Sequence, residues 1–488
     1  MSFARFLVAL VLASDLFAVS LEDEIAQMIQ ASPVARNAFW GIAIADLSTG
    51  NTLYSLNADR LFIPASNTKL FTAALALERL GPDFRFQTRV LSSIAPDSEG
   101  VIPGAVTLVG AGDPNLSARL VPYDRGPASG DPLAPLEDLA GQVASRGVTR
   151  ISGGIVADDT WYVWEPYPEG WTVDDTRYDY GAPVSALTIN DNTFLLNIQP
   201  GASTGSLAEL ALVPPVEYYL LDNRIRTVAA AGERNIQVSR DPRSRQLLLW
   251  GSIPLRAAPE TLAFAIDDPA EYAARAFRRA LQNRGITVNG GFYVRHRFPN
   301  EETSDPSGFE LAHRDSAPLI EDLGITAKVS QNLHAELALR AVARAREGLG
   351  SRAAGLQEMK LFLEEIGVSP EAYSFGDASG LDRSGLVSPS AVITLLRYMY
   401  DSPAREPWIA LLPVAGQDGT LSARFGSSPA AGRIYAKTGS LSHVAALSGY
   451  ARKPDGTWLA FSILVNNFNG PVAEVHSIID RICTLIME

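Results

Sequence analysis

The sequence predicts an α/β fold: a sheet flanked by helices, built from both ends of the chain, with a large and mainly β region inserted between them. Three observations carry this reading. Strand pairs stand near both termini, each beside a helical stretch. The residues between about 90 and 310 are rich in Gly, Pro and short β-like runs. Beyond about 315 the apolar residues return to helical spacing.

Arg5 precedes the apolar run Phe6 to Ala13, and Ala18-Val19-Ser20 offers small residues at the spacing of a signal-peptidase site. Residues 1–20 therefore read as an export signal, with a buried N-terminal helix as the alternative, since Asp15 interrupts a short run. Ala38 to Ala45 reads as a strand, Asp46 to Asn51 as a turn and Thr52 to Leu56 as a second strand. Pro64 fits the first turn of a helix that Gly81-Pro82 ends. In the middle, Gly104 to Val109, Leu207 to Val213 and Gln246 to Trp250 read as strands. A helix there runs from Pro269 to Arg284, opened by Asp267-Asp268 and stopped by Gly285. Asn332 to Arg346, Leu356 to Ile366 and Pro389 to Met399 carry apolar residues at helical spacing. Arg433 to Leu441 reads as a strand, and Ala445 to Arg452 with Thr457 to Asn466 as a hairpin around Lys453-Pro-Asp-Gly456. A helix from Val472 to Met487 closes the chain. The expected division is 21–90 and 312–488 as one unit, with 91–311 as an inserted region of two subdomains.

Of the 488 residues, 47% are hydrophobic and 19% charged, which excludes general disorder and a fibrous repeat. A net charge of −13 argues against a nucleic-acid partner, because phosphate binding needs clustered positive charge. A single cysteine, Cys483, excludes a disulfide framework. The five histidines show no zinc-binding spacing, and no metal or cofactor is expected. No stretch reaches the roughly 18 apolar residues of a membrane span, so no transmembrane anchor is expected; loose membrane association stays open.

There are only five lysines, Lys69, Lys328, Lys360, Lys437 and Lys453. Lysine can act as a neutral amine base and arginine cannot, which makes each of the five a candidate. Ser66-Asn67-Thr68-Lys69 places a hydroxyl and an amine three residues apart, on one face of the helix that follows Pro64. The positive helix start and burial both disfavour ammonium there, so Lys69 could serve as base to Ser66. Alone the motif is weak, since forty serines and five lysines give about 0.4 chance matches. Ser330-Gln331-Asn332 precedes a helix and would otherwise read as a cap. Lys437-Thr438-Gly439-Ser440 lies on a strand and is the specific motif, with about 0.02 matches expected by chance. A cation, a hydroxyl and a glycine on an edge strand suit an extended peptide ending in a carboxylate: Gly439 admits a ligand to the backbone, while Lys437 and Thr438 meet its carboxylate.

The order SxxK, SxN, KTG resembles the penicillin-binding protein and β-lactamase superfamily. A gap of 264 residues follows Ser66 before Ser330, and 107 separate Ser330 from Lys437. A long insertion after the SxxK helix is similar to class C low-molecular-mass penicillin-binding proteins, the D-Ala-D-Ala carboxypeptidase/endopeptidase (peptidase S13) family. Further segments resemble that family: Gly110-Ala-Gly-Asp-Pro-Asn-Leu116, with Ala111 a departure; Ser185-Ala-Leu-Thr-Ile-Asn-Asp-Asn192; Asp377-Ala-Ser-Gly-Leu-Asp-Arg383; and Leu412-Pro-Val-Ala-Gly-Gln-Asp-Gly-Thr-Leu421. Gln331 stands where Asp is commoner.

The resemblance implies a penicillin-binding, transpeptidase-like fold with an antiparallel sheet flanked by helices. It also implies periplasmic or extracytoplasmic hydrolysis of D-Ala-D-X bonds in peptidoglycan stem peptides, with β-lactams as acylating inhibitors. The implied catalytic residues are Ser66, Lys69, Ser330, Asn332 and Lys437. The implied substrate contacts are Thr438, Gly439, Ser440 and Asp158, with a turn role the alternative for Asp158 or Asp159. The three motifs would carry the chemistry alone, with the insertion as an extra wall of the cleft. His443 reads as structural, since this chemistry has no use for imidazole. Trp161, Trp164, Tyr167 and Trp171 read as core or as a rim for a glycan or peptide strand. A β-lactamase or other serine amidase is the rival enzyme, opposed by the insertion and by the lack of a recognisable deacylating Glu segment. A cell-wall-binding protein with a dead site is the non-enzymatic rival. Carboxypeptidase and endopeptidase preference are not separable, because both present a D-Ala carbonyl to one serine.

Overall fold

The structure, a computed structural model, describes residues 20–123, 130–241, 244–302 and 304–488. The expected export signal lies outside the described residues except for Ser20. That residue caps the helix Leu21–Ala31, its Oγ accepting from the Asp23 amide.

The two ends of the chain meet in one five-stranded antiparallel sheet. Its order is Ile434–Leu441, Val444–Arg452, Trp458–Asn466, Phe39–Asp46, Thr52–Leu56. The central strands read as nearly continuous apolar runs because helices cover both faces. Ile42, Ile44, Leu447, Phe461 and Ile463 point to one core, shared with Ile25 and Ile479 of the helices Leu21–Ala31 and Val472–Leu485. The alternate residues Ala43, Ala446, Tyr450, Ala460 and Leu464 point to the other core. That second face packs on helices Thr68–Leu80, Asn332–Glu347 and Pro389–Asp401.

Helix Thr68–Leu80 is buried on all sides from Thr68 to Leu77, and its alanines Ala73, Ala74 and Ala76 let its neighbours approach closely. Its first turn thereby sits under the edge strand Ile434–Leu441. The start of that edge is covered, since the Ala436 amide bonds to the Pro413 carbonyl. The open stretch begins at Lys437.

The intervening segment has its own core, which includes Leu108, Ile155, Leu196, Ile225, Leu249 and Phe277. A second five-stranded sheet runs Phe292–Arg297, Ile155–Val163, Val106–Val109, Gln87–Ser92, Phe309–Asp315. Smaller three-stranded sheets accompany it, and helix Ala134–Ser145 joins the expected Pro269–Asn283. Leu136, Leu139, Ala140 and Val143 give that extra helix its buried stripe. Helices Leu319–Lys328 and Arg405–Leu411 were also not legible, the latter being only seven residues long. The segment does not stay apart: Tyr162, Ala182, Val184 and Ala186 join the core beneath the first sheet. No helix among the described residues is long and apolar enough to cross a membrane.

Candidate active site

The three motifs converge at the open sheet edge. Ser66 lies in the short 3-10 turn Ala65–Asn67, and the α-helix begins at Thr68, later than the start expected at Pro64. Ala65 sits at φ +48, a conformation that costs energy for a residue with a Cβ. The turn is held from three sides. The Thr68 hydroxyl donates to the Ala65 carbonyl at 3.1 Å, and Asn67 Nδ2 donates to the Lys437 carbonyl at 3.1 Å. Gly380 is pressed so close that a Cβ there would overlap the Ala65 carbonyl oxygen.

Lys69 is 1% exposed. Its Nζ lies 2.9 Å from Ser66 Oγ, 2.6 Å from Asn332 Oδ1 and 2.7 Å from the Ser379 carbonyl. Burial pulls its pKa down to about 7, although the nearby Asp377 and Glu336 carboxylates pull the other way. A neutral amine has two N–H bonds and one lone pair. The carbonyl oxygens of Asn332 and Ser379 can only accept, so they take both N–H bonds. The lone pair is left facing the Ser66 hydroxyl.

Asp377 shapes the loop that supplies the Ser379 carbonyl. Its carboxylate accepts from the Gly380, Leu381 and Asp382 amides, from Ser379 Oγ and from Trp171 Nε1. Glu336 is fully buried, pairs with Arg340 at 2.9 Å and accepts from the Ala378 amide at 2.8 Å.

Ser330 has φ +66 and accepts from Lys437 Nζ at 2.8 Å. Lys437 is 0% exposed and also donates to the Thr438 carbonyl at 2.8 Å. Burial and then the charge of Lys69 hold its pKa well below the ordinary lysine value. Asn332 opens helix Asn332–Glu347, and its Nδ2 donates to the Tyr180 carbonyl at 2.8 Å. One N–H of that amide is left for a ligand.

Two sequence expectations change. Gly439 does not serve as room for a ligand: a Cβ there would sit 2.7 Å from the Pro64 carbonyl oxygen, so the close approach is made by the SxxK turn. Asp158 is 0% exposed inside strand Ile155–Val163; its carboxylate accepts from Thr160 and pairs with Arg295 at 2.9 Å. A carboxylate without exposed surface and already paired is not presented to a ligand. Neither it nor Asp159 is a turn residue, since both lie in that strand.

His443 occupies the turn between strands Ile434–Leu441 and Val444–Arg452 at φ +64, its Nδ1 at 2.8 Å from the Phe468 carbonyl, as a structural residue would. Trp164 and Trp171 line one cavity with Tyr167, and Trp161 stands apart from it. Trp161 stacks under Arg344, Trp164 lies on His296, and Trp171 bonds Asp377.

Sequence reasoning missed Thr420, whose exposed hydroxyl lies 2.8 Å from Thr438 Oγ1. Its segment was recognised, but nothing local tied it to the KTG strand. Lys328 fastens that loop through Asp418 at 2.6 Å.

Residues 21–484 match the D-Ala-D-Ala carboxypeptidase 3 (S13) family. The chain belongs to that family. A D-alanyl-D-alanine carboxypeptidase of Actinomadura sp. (strain R39) is 35% identical over 474 residues, which covers 95% of this chain and 84% of the relative. The D-alanyl-D-alanine carboxypeptidase DacB of Haemophilus influenzae is 26% identical, covering 88% and 85% respectively. Penicillin binding protein 4 (dacB) of H. influenzae shares the fold of this S13 chain, with a TM-score of 0.82 at 23% identity over 95% of this chain and 99% of that one. The penicillin-binding, transpeptidase-like fold and the serine carboxypeptidase class expected from the motifs both stand.

Proposed function

We propose that this S13 chain hydrolyses the terminal D-Ala-D-Ala bond of peptidoglycan stem peptides through an acyl-Ser66 intermediate. The observation that carries the reading is the buried Lys69 amine, 2.9 Å from Ser66 Oγ and held by two acceptors, Asn332 Oδ1 and the Ser379 carbonyl. Ser66 Oγ attacks the D-Ala carbonyl carbon as its proton passes to Lys69 Nζ. Backbone N–H groups of Ser66 and Ser440 receive the oxyanion, at about 3 kcal/mol per donor. Ser330 relays a proton to the leaving amine, the C–N bond breaks and D-Ala departs. Lys437 braces Ser330, and the remaining Asn332 N–H meets the substrate amide. The substrate carboxylate falls to the hydroxyls of Thr438 and Ser440. Water then attacks the ester, returning the proton to Ser66. A β-lactam enters the same first step and leaves slowly.

In this reading residues 21–90 and 312–488 form the catalytic unit, 91–311 the insertion, and residues 1–20 direct export to the cell-wall compartment.

Release of D-Ala from a diacetyl-Lys-D-Ala-D-Ala peptide tests the proposal. Wild type should release it, Ser66→Ala should not, and a fluorescent penicillin should stay bound. Rapid turnover of the penicillin without peptide cleavage would favour a β-lactamase instead.

A further inference from the structure

We propose that Asp191, carried on the inserted segment, is a positioning residue for the Ser330-Gln331-Asn332 turn and acts through Gln331 and His334. The inference rests on the reading that Ser330 and Asn332 serve the acylation step.

Asp191 lies in a turn where Asn190, Asp191 and Asn192 have φ of 49, 56 and 54, so three consecutive side chains are held in left-handed backbone. Asn192 fixes that turn by donating to the Pro183 carbonyl at 2.8 Å and accepting from the Ile189 amide at 3.0 Å. The Asp191 carboxylate therefore projects from a rigid base. One oxygen lies 3.0 Å from His334 Nε2. The other accepts from Gln331 Nε2 at 3.2 Å and from Arg119.

His334 is 0% exposed and lies between two carboxylates, with Nε2 on Asp191 and Nδ1 2.7 Å from Asp322 Oδ1. Two carboxylates flanking a buried ring favour its imidazolium form. Burial opposes that charge, but Asp322 and Asp191 outweigh it and raise the pKa to about 9. Asp322 is held in turn by Asn115 Nδ2 at 3.2 Å, from the Gly110–Leu116 segment. Two segments singled out in the sequence thus converge behind the SxN turn.

The turn needs such support. Ser330 sits at φ +66, and strained backbone persists only where its surroundings over-determine it. Gln331 is the cap of helix Asn332–Glu347, its Oε1 accepting from the Leu333 amide at 3.2 Å. Its other end reaches Asp191. The amide at 331 thus reads two partners at once: a donor to a carboxylate and an acceptor from the helix. An Asp there would serve the cap at least as well but would face the Asp191 carboxylate.

This sets capping and positioning against each other. On capping alone Gln331→Asp is neutral or favourable; on positioning it is damaging. The experiment measures the second-order acylation rate by a fluorescent penicillin per titratable site, with the melting midpoint, for Gln331→Asp, Asp191→Asn and the double variant. Each single change should slow acylation about tenfold, with labelling still near one per chain. In the double variant the introduced carboxylate at position 331 no longer faces a second carboxylate, and the rate should exceed that of Gln331→Asp alone. Should Asp191→Asn fail to fold, Gln331→Asp still decides, since its side chain is only partly buried. A Gln331→Asp rate within about twofold of wild type overturns the proposal, and so does a double variant no faster than Gln331→Asp alone. Ser330→Ala separates the two readings: if it acylates at the wild-type rate, the role of the SxN turn is wrong, whatever Asp191 does.

Discussion

The two serine turns of the site are braced in different ways. The Ser66 turn is held by the unit that carries it: Thr68, Asn67 against the KTG strand, and Gly380. The Ser330 turn is held from two sides: Lys437 and Lys69 bond Ser330 and Asn332, while the Tyr180 carbonyl and the Asp191 carboxylate of the middle segment hold Asn332 and Gln331. Both contain a strained residue, Ala65 at φ +48 and Ser330 at φ +66. The difference shows that the insertion is more than a wall. It supplies acceptors to Asn332 and Gln331, so the SxN turn is not held by the motifs alone.

The largest expected effect concerns the first turn. Lys69→Arg should slow acylation by about 100- to 10,000-fold, nearly as much as Lys69→Ala, because guanidinium retains charge but cannot accept the Ser66 proton. Retention of more than about a tenth of the wild-type rate would show that Lys69 acts only as a cation.

The next sharpens the contrast between the turns. Removing residues 91–311 takes away Tyr180 and Asp191 and leaves His334 and Asp322 without their partners from the insertion. A folded deletion variant should therefore lose about 100-fold or more in reaction with small penicillins, not only with polymeric peptidoglycan. Near-normal penicillin labelling in a variant shown to fold would restore the view that the insertion only walls the cleft.

Lys437 joins the two turns. It is fully buried against Ser330, and in the proposed reading it braces that hydroxyl while Thr438 and Ser440 meet the substrate carboxylate. Lys437→Ala should lower kcat/KM about 10- to 100-fold, by the same factor for a peptide acid and its amide. Thr438→Val should lower it mainly for the acid. A shift in the acid-to-amide ratio with Lys437→Ala would assign the carboxylate to the lysine.

The smallest effect is in pH. With Lys69 depressed to about 7, its neutral form is lost as pH falls, so acylation should drop about tenfold from pH 8 to pH 6 and level off above 8. A flat profile measured by stopped-flow labelling would contradict a neutral base.

Much of this arrangement was legible in the sequence. Continuous runs such as Phe39–Asp46 and Trp458–Asn466 announce strands, and three short motifs in fixed order announce the site. What escaped has a common physical cause. The Tyr180 carbonyl is a backbone group with no side-chain signature. Asp191 and Thr420 act across 140 and 18 residues of chain, with no local period to mark them. Asp158 misled because a strand interior can bury a carboxylate beside Arg295 as readily as a cleft can present one.

The central claim is that Ser66 is the nucleophile. Peptide mapping by mass spectrometry after brief exposure to penicillin tests it most directly. The account predicts one adduct per chain, on the peptide containing Ser66, absent from Ser66→Ala and strongly reduced in Lys69→Arg. An adduct on the Ser330 peptide, or labelling that persists in Ser66→Ala, would contradict it.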